Sequence, residues 1–361
     1  MTKVLCLIDA LRLGGAERQL IGLTSLLKER NFDVTLAMYH THNFYTDLLK
    51  EHGIEPIVIS TKDNQLSKLY AIGRFIKNNQ FSTVIAYIDG PTKICCLLKM
   101  LGYKFNLIVS ERNTSQQLTR STKLKFWLYR FADYIVPNSL SQKLFIDTYF
   151  PQYTKKTIAI TNFTDTEHFH PIENSTEDAQ KQSLILTPAR IAKQKNVLNL
   201  LYAIRILKDK KAKIHYRWVG DVQSGEEEYK TIVMERVKEL DISDYIDFCP
   251  ATKDVATEYH NCNIVCLPSL FEGYPNAICE AMSSGKVIVC SDVCDNSKII
   301  TEGINGFLFN PSSAESIAET IQKALSISII KRQDIEKTNR EKALNDFSKQ
   351  VFVDKYMKLI K

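Results

Sequence analysis

Strand-length apolar runs and helix-length amphipathic runs take turns along this chain, twice over, and that alternation excludes most architectures. In the first half the strand-like runs are Val4–Ile8, Asp33–Tyr39, Glu55–Ile59, Thr83–Ile88, Asn106–Ser110 and the short Tyr134–Pro137. Segments of helical period lie between them, such as Ala16–Lys28 with Leu20, Leu23 and Leu27 on one side. Continuous apolar strands joined by helices need cover on both faces, which predicts a doubly wound parallel sheet. A polar stretch from Thr166 to Ser183 reads as an interdomain linker. A second alternation follows, with strand-like runs at Leu184–Thr187, His215–Val219, Ile246–Phe248, Ile264–Pro268, Val287–Ser291 and Gly306–Phe309. At 361 residues the chain is long enough for two such domains, expected at 1–165 and 183–344. The last run, Arg332–Ile360, has helical spacing through Ala343, Phe347, Val351, Tyr356 and Leu359.

No apolar run approaches the roughly 18–20 residues that span a bilayer. Met1-Thr2-Lys3 leads straight into a strand without a signal-peptide pattern, so a cytoplasmic location is expected. The nine cysteines form no C-x-x-C. Cys262, Cys266, Cys290 and Cys294 offer a four-cysteine zinc set, but two of these sit inside strand runs, and buried thiols in a reducing compartment are expected instead. Net charge is +6, yet Lys93 to Arg130 alone holds eight basic residues against one acid, Glu111. Phe105, Phe126, Trp127, Tyr129 and Phe131 interleave with them. That pattern suits an anionic membrane surface, with a solvated helix face or nucleic acid as alternatives. Peripheral contact with anionic inner-membrane lipid through 93–130, and no nucleic-acid partner, is the expectation.

The most telling segment is Ser269-Leu270-Phe271-Glu272-Gly273-Tyr274-Pro275-Asn276-Ala277-Ile278-Cys279-Glu280, between a buried strand and a helix. Pro275 suits a helix start, where its missing N–H costs nothing. The amides of Asn276, Ala277 and Ile278 would then face an anion at the positive helix end. Glu272 and Glu280 flank that point, ready to accept hydroxyl hydrogen bonds. A phosphate with an acid on each side describes a nucleotide-sugar pocket. Arg190 and Lys195, five apart after another strand, can converge on one diphosphate, the first as a planar fork and the second as a mobile point charge.

The segment closely resembles the Glu-x7-Glu signature of retaining family-4 glycosyltransferases of the GT-B fold. The resemblance implies two Rossmann-like domains facing across a cleft, the first binding the acceptor and the second the donor. It implies that the final helix, about 345–361, packs back on the first domain. Glu272 would hold the donor sugar hydroxyls and Glu280 the ribose. Ala189 to Lys195 resembles the Gly-Arg-x4-Lys motif, with Ala189 in place of Gly, which assigns Arg190 and Lys195 to the diphosphate. Gly14 and Gly15 match a Gly-Gly turn that brings amides near the donor phosphate. This turn lacks the G-x-G-x-x-G of a dinucleotide site, and strand two ends in Tyr39-His40 where a ribose-binding acid would stand. Gly220 resembles a turn that lets the donor approach, and Phe248 to Ala251 a stretch that holds the base. Glu111 and Arg112 end strand five where many relatives carry a His, so Arg112 is expected to bind an acceptor phosphate or carboxylate and Glu111 to orient an acceptor hydroxyl. Asn138 and Asn162 would line the domain interface, Asn138 on the acceptor side.

The chain has no Asp-x-Asp, the acid pair that holds a diphosphate through a divalent cation. A metal-independent enzyme without a cofactor is therefore expected. It would move a sugar from a nucleoside-diphosphate sugar, expected to be a UDP-sugar, to a hydroxyl of a glycan or polyprenyl-linked glycan. The Gly-Gly-Ala-Glu-Arg and Ser-Glu-Arg-Asn segments look like those of relatives that build bacterial surface polysaccharides. A nucleotide-sugar isomerase on the same fold and a non-catalytic sugar-nucleotide binder are the rival readings.

Overall fold

The computed structural model describes residues 2–12, 14–60, 62, 64–112, 117–172 and 182–361. These divide into two compact units, 1–163 with 349–361, and 164–348.

The first unit holds β1 (Lys3–Leu7), β2 (Asp33–Met38), β3 (Ile57–Val58), β4 (Thr83–Tyr87), β5 (Asn106–Glu111) and β6 (Tyr134–Pro137). Its first six helices are α1 (Gly15–Glu29), α2 (Thr46–Glu51), α3 (Gln65–Asn79), α4 (Asp89–Met100), α5 (Arg120–Leu128) and α6 (Leu140–Tyr149). All strand pairs are parallel, in the order β3-β2-β1-β4-β5-β6. The two-residue side-chain period sends alternate residues to opposite cores. Leu5 and Leu7 join Val84, Leu107 and Phe126 on one face, whereas Val4, Cys6 and Ile8 join Leu20, Leu23 and Leu27 on the other. Each fully buried aliphatic side chain contributes about 1.5–3 kcal/mol. Side-chain caps fix the helix starts: Asn64, Thr119 and Ser139 accept from the amides of Ser67, Thr122 and Gln142.

The second unit repeats the plan with β7 (Ser183–Pro188), β8 (Ile214–Val219), β9 (Ile246–Cys249), β10 (Ile264–Leu267), β11 (Val287–Ser291) and β12 (Phe307–Phe309). Its helices are α7 (Val197–Asp209), α8 (Glu227–Glu239), α9 (Val255–Asn261), α10 (Asn276–Ser283), α11 (Asn296–Ile299), α12 (Ala314–Leu325) and α13 (Ile329–Phe347). The order β12-β11-β10-β7-β8-β9 is again wholly parallel. It reverses between β10 and β7, and the crevice outside the carboxyl ends at such a reversal is where α/β sheets bind ligands.

Three sequence expectations need adjustment. The third strand is only two residues long, because Ile57 and Val58 lie on an exposed sheet edge. The C-terminal run is two helices, α13 and then α14 (Lys349–Met357), broken at Ser348, whose backbone is extended. Phe352, Val353 and Tyr356 of α14 join a core of the first unit. The start of the expected linker is docked: Thr166 and Phe169 are buried, and Arg340 Nη1 donates to the carbonyls of Thr166, Phe169 and Ser283, each at 2.9 Å. Residues 173–181 of that stretch lie outside the described residues.

Candidate functional site

The loops that leave β7 and β10 carry the basic and acidic motifs, and those strands are neighbours at the reversal. Residues Lys193–Lys195 form a single tight turn before α7. Gln194 ties this turn to the other loop twice: its carbonyl accepts from the Leu270 amide at 2.9 Å, and its Nε2 donates to the Phe271 carbonyl at 2.8 Å. The two bonds bring Lys195 Nζ to 2.5 Å from Glu272 Oε1. Both side chains are largely shielded, at 16% and 9% exposure, so the attraction is screened less than at an open surface. Arg190, on the same β7 loop, is exposed and makes no hydrogen bond or ion pair among the described residues. One basic group is thus held and the other is open to an incoming anion.

Past Glu272 the chain enters α10. Pro275 is its cap, one position earlier than expected, and its carbonyl accepts from the Ile278 amide at 3.1 Å. The Ile278 N–H is therefore spent inside the helix, and Asn276 and Ala277 are the two residues that open it. Glu280 lies one turn further in and is 7% exposed. The Tyr259 hydroxyl, from α9, sits 3.0 Å from Glu280 Oε2 and 3.1 Å from the Ala277 carbonyl. It aims the carboxylate and braces the helix start at once. Neither Gln194 nor Tyr259 is marked out by the sequence, because each acts on groups that only the fold brings near.

Gly220 packs directly against the β7 loop. A Cβ there would lie 2.2 Å from the Ala189 carbonyl oxygen, so the residue permits close approach of the β7 loop. Trp218 Nε1 donates to that same carbonyl at 2.6 Å. Asp221 accepts from the Ala251 amide at 3.1 Å, and the Cys249 carbonyl accepts from Gly220 at 2.9 Å, which braces the 248–251 stretch.

In the first unit two expected acceptor residues prove to be engaged internally. Glu111 and Arg112 are successive residues at the end of β5 and enter different environments. Glu111 is 1% exposed, pairs with Lys125 at 2.9 Å and accepts from the Tyr129 hydroxyl at 3.0 Å. Burial raises its carboxyl above the ordinary range, with Lys125 opposing the rise. Arg112 is 8% exposed and donates to Ser110 Oγ at 2.8 Å, Asn162 Oδ1 at 2.9 Å, Tyr356 Oη at 2.9 Å and Tyr87 Oη. Its guanidinium also stacks over the Tyr87 ring at 4.3 Å. With four N–H donors committed inside the unit, Arg112 anchors α14, and Asn162 serves the same network. Asn138 is 6% exposed, and its Oδ1 has no hydrogen-bond partner among the described residues. Gly14 donates its amide to Tyr45 Oη at 3.1 Å and accepts back at its carbonyl at 2.7 Å, so that amide is occupied. Gly15 opens α1.

The basic-aromatic stretch is split by its own helix. Lys125, Phe126 and Tyr129 are buried, and Phe105 is buried before them. Arg120, Lys123, Leu124, Trp127 and Arg130 remain exposed, with Arg130 over the Trp127 ring at 5.7 Å. Among the described residues no helix is long and apolar enough to cross a membrane.

Residues 170–342 match the family described as glycosyl transferases group 1. The chain carries a group 1 glycosyl transferase domain. The chain is 25% identical over 377 residues to the Campylobacter jejuni GalNAc-alpha-(1->4)-GalNAc-alpha-(1->3)-diNAcBac-PP-undecaprenol alpha-1,4-N-acetyl-D-galactosaminyltransferase, covering 100% of this chain and 98% of that one. It is 25% identical to the amylovoran biosynthesis glycosyltransferase AmsD of Erwinia amylovora, over 78% of each chain. Its fold matches a glycosyltransferase from Rickettsia africae at TM-score 0.88 and 19% identity, covering 100% of this chain and 98% of that one. It matches Anabaena HepE, solved in complex with UDP-glucose, at TM-score 0.83 and 19% identity over 99% of both chains. The α/β architecture of two parallel six-stranded sheets is therefore that of the GT-B glycosyltransferases.

Proposed function

We propose that this glycosyltransferase moves a sugar from a UDP-sugar to a hydroxyl of a glycan or lipid-linked glycan in bacterial surface polysaccharide synthesis, with retention at the sugar carbon and without a metal ion or cofactor. The observation that carries this reading is the Lys195–Glu272 pair, set beside the start of α10 with Glu280 one turn beyond. Lys195 and Arg190 receive the diphosphate. Preorganised cations stabilise the charge that develops on a departing nucleoside diphosphate, a contribution of several kcal/mol in a shielded site. Glu272 accepts hydroxyl hydrogen bonds from the donor sugar, and Glu280, aimed by Tyr259, accepts from the ribose. The acceptor attacks on the face from which the diphosphate leaves, and a diphosphate oxygen takes its proton, so no protein base is required. UDP as the nucleotide is supported by the solved HepE complex, and a lipid-linked acceptor by the printed name of the Campylobacter relative.

The acceptor falls to the first unit, where Asn138 retains its buried, unmatched carbonyl oxygen. The exposed set Arg120, Lys123, Leu124, Trp127 and Arg130 is the part of 93–130 suited to anionic lipid, which would place the enzyme at the cytoplasmic face of the membrane.

Incubation with labelled UDP-sugars, with and without polyprenyl-diphosphate glycans, tests the proposal. Acceptor-dependent release of UDP is expected. Interconversion of the sugar without UDP release would make the protein an isomerase, and binding with neither outcome would make it a carrier.

A further inference from the structure

Seven of the nine cysteines are buried, and burial pushes the thiols of Cys6, Cys96, Cys262 and Cys266 up to about 12. Those thiols are packing groups. Cys249 and Cys294 are only half-buried, and Cys294 has a feature that packing does not explain. It lies in the loop between β11 and α11, and its backbone is left-handed, with φ of +51°. A residue with a Cβ adopts that conformation at a cost, and such strain gathers at functional sites.

The contact made by this strained residue is with the donor site. Cys294 Sγ accepts from the backbone N–H of Glu272 at 3.5 Å. β11 and β10 are adjacent, so the two loops leave neighbouring strands side by side. The loop that carries Cys294 is itself pinned: Asn296 Nδ2 donates to the Ser291 carbonyl at 2.9 Å, Val293 N to the same carbonyl at 3.0 Å, and Asn296 N to the Val293 carbonyl at 3.0 Å. A fixed loop thus holds the main chain of Glu272 from one side, while Lys195 holds its carboxylate from the other.

We propose that Cys294 is a positioning residue of the donor site: its thiol fixes the Glu272 backbone and so sets the direction from which that carboxylate meets the donor sugar. This rests on the reading of Glu272 as the sugar-binding acid. The diphosphate is held from the β7 loop, which Cys294 does not touch, so loss of the thiol separates hold on the sugar from hold on the nucleotide.

The test uses Cys294→Ala and Cys294→Ser in the full chain. Alanine keeps the backbone requirement and removes the acceptor, whereas serine restores one. With alanine, kcat/KM for the sugar nucleotide is expected to fall about three- to tenfold, the range of one hydrogen bond. Inhibition by UDP stays unchanged, and serine recovers most of the loss. In the ligand-free protein, hydrogen exchange at the Glu272 amide is expected to speed up in the alanine variant and to remain slow with serine. An alanine variant with normal kcat/KM, an equal loss in UDP affinity, or unaltered exchange at Glu272 overturns the proposal. Failure of the wild type to release UDP from any sugar nucleotide would instead sink the transferase reading, and the exchange measurement would still decide whether Cys294 holds Glu272.

Discussion

Lys195 and Glu272 stand 77 positions apart in sequence and meet at 2.5 Å, each on a loop leaving one of two adjacent parallel strands. The pair places a cation and an acid at one point before any donor arrives. On the proposed function, a diphosphate would compete with Glu272 for Lys195, and a hexose hydroxyl with Lys195 for Glu272. A sugar nucleotide offers both at once, which a free sugar or a free nucleotide does not.

Substitutions at the two positions should therefore behave differently. Glu272→Ala is expected to lower kcat by about 10²–10³, the scale of losing a preorganised polar group at the reacting centre. UDP affinity should hold or rise slightly, since Lys195 is released. Lys195→Ala should weaken UDP and the intact donor alike, by about 10- to 100-fold for a charge-assisted contact. Calorimetric titration with UDP beside steady-state kinetics separates the cases, and equal loss of UDP affinity in both variants would contradict the division of roles.

Tyr259 touches no expected substrate atom, yet its hydroxyl reaches both Glu280 and the Ala277 carbonyl. Tyr259→Phe keeps the ring in its core and deletes that link. KM for the sugar nucleotide should rise about two- to tenfold, matching one neutral hydrogen bond, with little change in kcat. A matching drop in melting temperature without a kinetic effect would reassign Tyr259 to stability alone.

The Glu111–Lys125 pair makes a statement about pH. Burial holds the Glu111 carboxyl above its ordinary range, so the folded protein keeps this proton to higher pH than the unfolded chain does. The stability it contributes is complete below the unfolded value, about 4.3. It declines as pH rises through the folded value. Urea unfolding across that window should show a sloping difference between wild type and Glu111→Gln, levelling off above it. Lys125→Met, which strands the buried carboxylate, should cost about 3–5 kcal/mol at neutral pH.

On α5 the exposed basic residues, and not the buried Lys125, are the ones to alter. Arg120→Glu with Lys123→Glu should reduce co-sedimentation with vesicles of anionic phospholipid, and more so at low salt. Trp127→Ala should reduce it at all salt concentrations. Unchanged sedimentation would return this face to ordinary solvated surface.

Local pattern alone determined a good deal. The strand and helix runs, the repetition of the βα plan and the presence of both charged motifs follow from periodicity and turn chemistry, which act over a few residues. The docking of Thr166 and Phe169 was not legible, because a polar composition looks the same whether its carbonyls face water or Arg340. The fates of Glu111 and Arg112 were also hidden. Strand alternation sends consecutive residues to different surroundings, and what waits there, Lys125 and Tyr129 for one, Tyr87 and Tyr356 for the other, comes from segments remote in the chain. Only tertiary structure decided that Gln194 clips the two site loops together, that Gly220 makes room for Ala189, and that Cys294 reaches the Glu272 amide. Each is a contact between segments distant in sequence, and the order of strands in a sheet creates it.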